Sequence, residues 1–149
     1  MKALHLLVLG GITFCSAVFA AENDSRSELP PPVNEKVYTF KQIEAEKFDL
    51  KDKIVRLEIA SLLGTGSEPQ ADGTKRYMAK DTSNSATPYG QVAFPAEGLR
   101  KTGLADNPKK GPLTLYVRIH LFEDKKAAAI AIAVGTHFSR TDGKATYGW

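Results

Sequence analysis

The sequence is poor in the residues that most reactive and metal-binding sites require. It contains one cysteine and three histidines among 149 residues. Cys15 lies inside an apolar, leader-like segment, so the chain beyond it has no thiol. No G-x-S-x-G motif is present, and neither His120 nor His137 is linked by a motif to a serine. These absences argue against an enzyme, and we expect no catalytic residues.

A large excess of charge of one sign is also missing. The chain has 20 Lys and Arg residues against 17 Asp and Glu residues, a net charge of +3 at pH 7 with neutral histidines. The basic pairs at residues 109–110 and 125–126 stand beside turn residues instead of forming a basic stripe. Solvated loops explain such pairs more simply than phosphate contacts do. Nucleic acid therefore stays open as a partner but is not favoured.

The first 20 residues have the pattern of a secretory signal peptide. Lys2 supplies a positive start, residues 4–14 are almost wholly apolar, and Ala20 stands where a signal peptidase reads small side chains. The apolar run is too short to cross a bilayer, which takes about 20 residues. We expect a periplasmic or secreted protein whose mature chain has no membrane span. Lipid attachment at Cys15 is a disfavoured alternative, because the preceding Phe14 is too large.

Residues 21–37 are predicted to form a disordered or extended tether. They contain several Asn, Asp and Ser residues and three consecutive prolines, Pro30, Pro31 and Pro32. A proline triplet favours a stiff polyproline II spacer, and such a segment can also be a recognition motif. The spacer interpretation is favoured, because Arg26 is the only basic residue between the leader and the prolines. Ordered structure is expected to begin at Tyr38.

A short amino-terminal helix is predicted directly after Thr39. Thr39 and Gln42 have the spacing of a capping box, in which each side chain accepts a backbone hydrogen bond from the other residue. Phe40, Ile43 and Phe48 follow at spacings that suit one face of a helix. We expect these three side chains to be buried together.

The rest of the chain alternates apolar and polar residues with the period of two that β-strands require. Val55, Leu57 and Ile59 form one apolar row, and every second residue from 113 to 121 is Leu, Val or Ile. Turn residues separate further strands that are predicted at residues 76–82, 89–94 and 129–138. A proline and a glycine bound a short helix at residues 96–101. A single domain over residues 38–149 is therefore expected.

The predicted order of three strands, a short helix and two more strands resembles the oligonucleotide/oligosaccharide-binding fold, or OB-fold. The resemblance rests on residues 53–59 as a long first strand, residues 92–95 leading into the helix, and residues 113–121 as the fourth strand. It implies a mainly β protein: a five-stranded Greek-key barrel with a short helix between strands three and four and an amino-terminal helix. It also implies ligand contact on strands two and three and their flanking loops. A β-sandwich of the same strands is the structural alternative.

Two groups of side chains are candidates for ligand binding. On the fourth strand, alternation places Tyr116, Arg118, His120 and Phe122 on the face opposite the aliphatic row. On the second and third strands, the OB-fold resemblance points to five residues: Arg76, Tyr77, Lys80, Tyr89 and Gln91. Aromatic rings and arginine on one surface can stack on bases or sugar rings and hydrogen-bond their edges. For the aromatic face of the fourth strand, cover by another element is the favoured interpretation and ligand binding the alternative, because aromatic stripes are often core.

No metal and no cofactor are predicted. His120 and His137, combined with Glu58 or Asp81, lack the ligand spacing of a zinc site. We expect a non-catalytic secreted or periplasmic binding protein whose barrel face holds a small ligand, an oligosaccharide or a protein partner. Two alternatives stay open: an interaction module of an envelope assembly that docks through its prolines and, less favoured, a metal-dependent hydrolase that uses the two histidines.

Overall fold

The computed structural model describes residues 29–124 and 126–149. The predicted signal peptide and residues 21–28 of the predicted tether lie outside the described residues. Among the residues that are described, no helix combines the length and the apolar character that a membrane crossing requires.

The chain is mainly β, as predicted. The described ranges contain eight strands and three short helices, in this order: β1 Pro32–Tyr38, α1 Phe40–Ala45, α2 Lys47–Leu50, β2 Ile54–Leu63, β3 Thr74–Asp81, β4 Tyr89–Pro95, α3 Ala96–Thr102, β5 Leu113–Leu121, β6 Ala129–Gly135, β7 His137–Thr141 and β8 Lys144–Gly148. Most of this structure belongs to one sheet, and β7 and β8 form a separate two-stranded hairpin.

The sheet closes into a barrel of five strands. Its strands pair in the order β2, β3, β4, β6, β5, and β5 returns to pair with β2. The β4–β6 pair is parallel and the other four pairs are antiparallel. This closure confirms the predicted five-stranded barrel, and the sandwich alternative is not formed.

The barrel interior is built by the two predicted aliphatic rows. Val55 pairs with Val117 and Leu57 with Leu115 across the β2–β5 ladder, so the two rows lie side by side on the same face of the sheet. All four side chains are fully buried. Removing such a side chain from water stabilises the fold by roughly 1.5–3 kcal/mol before entropy is counted. The inward direction of both rows was predicted correctly.

β6 turns its small side chains into the barrel. Ala131 and Ala133 are buried in the main core, whereas Ile132 and Val134 lie on the outside and are half-buried. A closed five-stranded barrel has a narrow interior, so large residues on some strands require small residues on others. The larger β6 side chains are thereby placed on the outer surface.

The capping box at Thr39 is present. Thr39 Oγ1 accepts from the Gln42 backbone N–H at 3.2 Å, and Gln42 Oε1 accepts from the Thr39 N–H at 3.0 Å. Phe40 and Ile43 are buried as predicted, but Phe48 is 70% exposed, which corrects the prediction for that residue. The helical segment is interrupted at Glu46, between α1 and α2, and Leu50 contributes to the core instead.

β1 lies within the segment that the sequence predicts to be a disordered or extended tether. Residues 32–37 form a strand that runs parallel to β2, with Pro32 beside Ile54 and Tyr38 beside Leu57. β3 pairs only with residues 59–63 of β2, so the first half of that edge of β2 is free to accept another strand. Backbone pairing of this kind does not depend on an apolar side-chain pattern. Only Tyr38 of β1 is buried, which is why the sequence pattern did not reveal the strand.

The β7–β8 hairpin covers part of the barrel's outer surface. Asp142 and Gly143 at its turn both have positive φ, the geometry that favours two-residue hairpin turns. The hairpin buries Tyr147 and Ala145 against Ile54, an outward residue of β2 that is 0% exposed. The predicted strand over residues 129–138 is thus divided between β6 and β7, and the hairpin provides a second, small core.

α3 ends at Gly103, which adopts the left-handed conformation with φ of 75°. Leu99 of this helix is part of the main core. Gly98 lies against the Trp149 indole, and a Cβ at Gly98 would stand 2.5 Å from Trp149 Cη2. Close contact between α3 and Trp149 is therefore possible because residue 98 is a glycine and has no Cβ.

Candidate functional site

A groove crosses the outside of the barrel over β3, β4, β6 and β5. We call it the outer groove; it encloses about 190 Å³ and is lined by Asp72, Thr74, Arg76, Ala93, Arg118, His120, Phe122, Ile130 and Ile132. The strand register explains how these residues meet. Arg76 pairs with Ala93, Ala93 with Ile132, and Ile132 with Arg118. The backbones of the two arginines are therefore separated by three spacings between neighbouring strands, each about 4.8 Å. The small side chain of Ala93 leaves the space between the arginines open.

The outer groove carries more positive than negative side chains. Arg76 and Arg118 line it together with one carboxylate, that of Asp72, and the His120 imidazole also borders it. Throughout residues 29–124 and 126–149, no carboxylate oxygen lies within 4.0 Å of either arginine guanidinium. Both guanidinium groups therefore keep hydrogen-bonding capacity for a ligand.

Asp72 is held by its own turn. Its Oδ1 accepts from the Thr74 hydroxyl at 2.7 Å and from the Thr74 backbone N–H at 2.9 Å. These hydrogen bonds are the main reason that the pKa of Asp72 is lowered, and the charge of nearby Arg76 adds a smaller contribution. The carboxylate therefore stays ionised and is already engaged with Thr74, on the surface of the groove.

Phe122 forms an aromatic wall. Its ring centroid lies 4.9 Å from the Arg76 guanidinium carbon, within the range of a cation–π contact. The His120 ring meets Phe122 edge-on, with centroids 5.6 Å apart and an interplanar angle of 88°. The floor beside this wall is apolar, because Ile130 and Ile132 point outward from β6. The groove thus offers positive charge, a ring and an apolar base in one place.

The structure brings four of the candidate residues together in the outer groove: Arg76, Arg118, His120 and Phe122. Lys80, Tyr89 and Gln91 lie elsewhere on the outer side of β3 and β4, where Lys80 pairs with Tyr89 and Gln91 pairs with Met78. Leu63 pairs with Met78 from β2, so an exposed apolar patch of Leu63, Met78 and Tyr89 borders this region, at 40%, 44% and 50% exposure.

Tyr77 is not on this surface. It points into the barrel, is 7% exposed and packs edge-on against Phe94, with ring centroids 6.2 Å apart. Successive residues of a strand face opposite sides, so Arg76 and Tyr77 cannot share one platform. The prediction that Tyr77 contacts a ligand on the outer face is corrected by this orientation.

Tyr116 is partly covered by the hairpin and is half-buried. Its ring lies 5.8 Å from the Phe138 ring and 5.6 Å from the Tyr147 ring, measured between centroids. Of the two alternatives for the aromatic face of β5, cover by another element holds for Tyr116. Arg118 and His120, further along the same strand, remain open to the groove.

Several lining residues were missed by the sequence analysis. Asp72, Ala93, Ile130 and Ile132 become neighbours of the arginines only through pairing between β3, β4, β6 and β5. These four carried no signal, since strand register between distant segments cannot be read from local pattern. Phe122 was placed beside Arg118 and His120 by the alternation of that strand.

The residues considered for a metal do not form a cluster. In the part of the chain that the structure describes, no three His, Cys, Asp or Glu side chains are grouped so as to hold a metal ion. His137 is exposed on β7, where its Nδ1 lies 2.9 Å from Thr136 Oγ1. Asp81 is buried, and its oxygens accept from the Phe40 and Ser83 backbone N–H groups.

Comparison with known proteins does not identify a family. No protein-family model matches this chain, and no curated protein matches it. A crystal structure of a protein assigned as an aspartyl-tRNA synthetase, from Leishmania major Friedlin, is similar over 70% of this chain and 22% of its own, with 12% identity and a TM-score of 0.34. The chain thus spans about a fifth of the length of that protein. A function is therefore inferred from the outer groove and the residues around it.

Proposed function

We propose that this protein is a non-catalytic secreted or periplasmic binding protein that holds its ligand, or a protein partner, on the outer face of the barrel. The outer groove is the centre of that face. The secreted or periplasmic location rests on the signal-peptide pattern of residues 1–20. The assignment to an OB-fold of Greek-key form rests on the strand order β2, β3, β4, β6, β5 and on the position of α3 between β4 and β5.

One observation carries the proposal: two arginines without a carboxylate partner within 4.0 Å among the described residues share a groove with an aromatic wall. A guanidinium presents five donors in a planar fork and pairs well with carboxylate or phosphate oxygens. Phe122 provides a face on which a base or sugar ring can stack. These are groups that recognise a ligand.

The size of the groove indicates that the ligand extends beyond it. A volume of about 190 Å³ corresponds to about six water molecules at roughly 30 Å³ each. One sugar-sized unit fits such a space, whereas pockets that enclose a whole small molecule usually measure about 300–1,000 Å³. The apolar patch of Leu63, Met78 and Tyr89 lies on the same outer side of the barrel and offers the continuing surface.

Backbone amide chemical shifts of the isotope-labelled protein test this proposal. We expect titration with single-stranded oligonucleotides, oligosaccharides or an envelope extract to shift amides of β3, β4 and β5 that surround Arg76, Ala93 and Arg118. Arg118→Gln should weaken that binding by about tenfold or more, since a charged hydrogen bond is lost. Arg100→Gln, at an exposed residue of α3, is the matched control. No shift with any of these three probes, or equal binding by R118Q, would contradict the proposal.

The alternative of an interaction module that docks through its prolines is less well supported. The carbonyl of Pro30 accepts from the Tyr147 hydroxyl at 2.7 Å, and Pro32 pairs with Ile54. Two of the three prolines are therefore already engaged with the body of the protein. Deletion of residues 22–31, which removes Pro30 and Pro31 and keeps β1, should leave co-purifying partners unchanged; loss of those partners would favour the docking function.

A further inference from the structure

A second and larger cavity lies on another part of the barrel's outer surface. We call it the hairpin pocket; it measures about 450 Å³ and is lined by Pro31, Pro32, Asn34, Glu35, Arg56, Tyr116, Phe138 and Arg140. It lies where β1, the outward side of β2 and β5, and β7 meet. It shares no lining residue with the outer groove. Its volume falls within the roughly 300–1,000 Å³ that is usual for small-molecule sites.

Two arginines face one carboxylate in the hairpin pocket. Arg56 Nη1 donates to the Glu35 carbonyl at 2.9 Å, which fixes the guanidinium beside β1 without neutralising its charge. In the described ranges, no carboxylate oxygen lies within 4.0 Å of Arg56 or Arg140, so the Glu35 side chain does not pair with either. Arg56 Nε is buried and has no acceptor among the described residues. The pocket therefore has a net positive charge and spare hydrogen-bond donors.

Aromatic rings form the opposite wall. Tyr116 and Phe138 line the pocket with ring centroids 5.8 Å apart, and their planes are tilted by 47°. Tyr147 packs against both rings, at 5.6 Å and 5.3 Å, and is itself buried in the small core of the hairpin. The wall is therefore held in place before any ligand arrives, which lowers the entropic cost of binding.

We propose that the hairpin pocket binds an acidic sugar: a monosaccharide, or the end unit of an oligosaccharide, that carries a carboxylate. Arg56 and Arg140 bind the carboxylate, because the planar guanidinium suits its two oxygens. The puckered sugar ring packs its C–H face in the angle between Tyr116 and Phe138. Because the two rings are tilted by 47°, one flat nucleobase cannot stack on both of them, whereas a puckered ring can direct C–H groups toward both.

The charge requirement is tested by titrating the protein with glucuronate and, in parallel, with neutral glucose, adenosine monophosphate and inorganic phosphate. We expect glucuronate to shift the amides of Glu35, Arg56, Tyr116 and Arg140, and glucose to bind about tenfold or more weakly. Tighter binding of adenosine monophosphate than of glucuronate would overturn the sugar assignment in favour of a nucleotide. Equal binding of inorganic phosphate would show an anion site without sugar recognition and would also overturn it.

Variants separate this site from the outer groove. Arg140→Gln and Phe138→Leu should each weaken glucuronate binding by about tenfold, and Arg140 is exposed on β7, so its loss should leave the fold intact. Arg118→Gln and Arg100→Gln should leave glucuronate binding unchanged. If R140Q binds glucuronate as the unaltered protein does, the hairpin pocket is not the site. If R118Q alone weakens it, the sugar belongs to the outer groove, and the proposed function stands without this inference.

Discussion

The interior of the barrel and the small core under the hairpin are both apolar, but they are built in different ways. In the interior, rows such as Val55 and Leu57 are surrounded on all sides because the ring of five strands closes on itself. Under the hairpin, Ile54 is equally buried, although it points out of the same strand. Its burial depends on Tyr147 and Phe138, which the last segment of the chain brings across the barrel. Alternation therefore shows which side of a strand faces inward, but not what covers the outward side.

This difference also separates the possible binding surfaces. Tyr116 and Arg118 both point outward from β5, yet the hairpin packs on Tyr116, whereas Arg118 lines an open groove. On β5, Tyr116 therefore packs against the small core and lines the hairpin pocket, whereas Arg118, two residues later, lines the outer groove. Four measurements can test the contrast between interior and cover.

The largest effect is expected in the barrel interior. Leu57→Ala should lower the free energy of unfolding by about 2–5 kcal/mol, because the closed ring of strands cannot collapse around the cavity. Leu63→Ala is the matched control on the same strand, and since Leu63 is 40% exposed its loss should cost about 1 kcal/mol or less. Chemical denaturation measures both. Equal losses for the two variants would remove the distinction between inside and outside.

A smaller loss is expected where α1 joins the barrel. Asp81 is buried at the end of β3, where Oδ2 accepts from the Phe40 N–H at 2.8 Å and Oδ1 accepts from the Ser83 N–H at 2.9 Å. Asp81→Ala leaves the Phe40 N–H buried without a partner and should cost about 1–3 kcal/mol. Asp72→Ala, at an exposed carboxylate, should change stability little. A variant D81A as stable as the unaltered protein would mean that the contact between Asp81 and Phe40 does not hold α1.

The hairpin should loosen without the barrel. Tyr147→Ala removes the central ring of the small core, so amides of β7 and β8 should exchange hydrogen faster while those of β5 keep their protection. Global stability should fall by less than in L57A, because the ring of five strands is untouched. Faster exchange throughout β5 would show instead that the two cores unfold together.

The smallest effect appears at alkaline pH. Burial, with a contribution from nearby Tyr116, raises the pKa of Tyr147 to about 12 from an ordinary value of 10.0. Between these two values the unfolded chain releases the proton and the folded chain keeps it, so stability falls as the pH rises through this window. The stabilising effect is fully present below pH 10. Tyr147→Phe should remove one late step from the tyrosinate absorbance titration; an unchanged titration would contradict the assignment.

Features with a local cause could be predicted from the sequence. The apolar rows of β2 and β5 and the capping box at Thr39 depend on residues a few positions apart. The error at Phe48 has a local cause too, since the helical segment is interrupted at Glu46 and no proline or glycine marks the break. Short helices of this kind are stabilised by packing more than by propensity, so their ends are set by the body they contact.

Features that depend on closure could not be predicted. The inward turn of Ala131 and Ala133 depends on the space left by other strands, and β1 depends on a free edge of β2. The outer groove depends on the register that sets Arg76 and Arg118 on either side of Ala93 and Ile132. The misplacement of Tyr77 was different, because alternation alone separates it from Arg76. That residue could have been assigned correctly.

The contact between Gly98 and Trp149 gives the protein an optical reporter. Trp149 is the single tryptophan of the chain, and its indole packs on α3 directly after the last strand of the hairpin. Its fluorescence therefore follows one location, while the far-ultraviolet dichroism of the strands follows the whole barrel. If the Trp149 emission changes at a lower denaturant concentration than the far-ultraviolet dichroism, the carboxyl-terminal hairpin is released before the barrel unfolds. If the two curves coincide, the hairpin and the barrel unfold as a single cooperative unit.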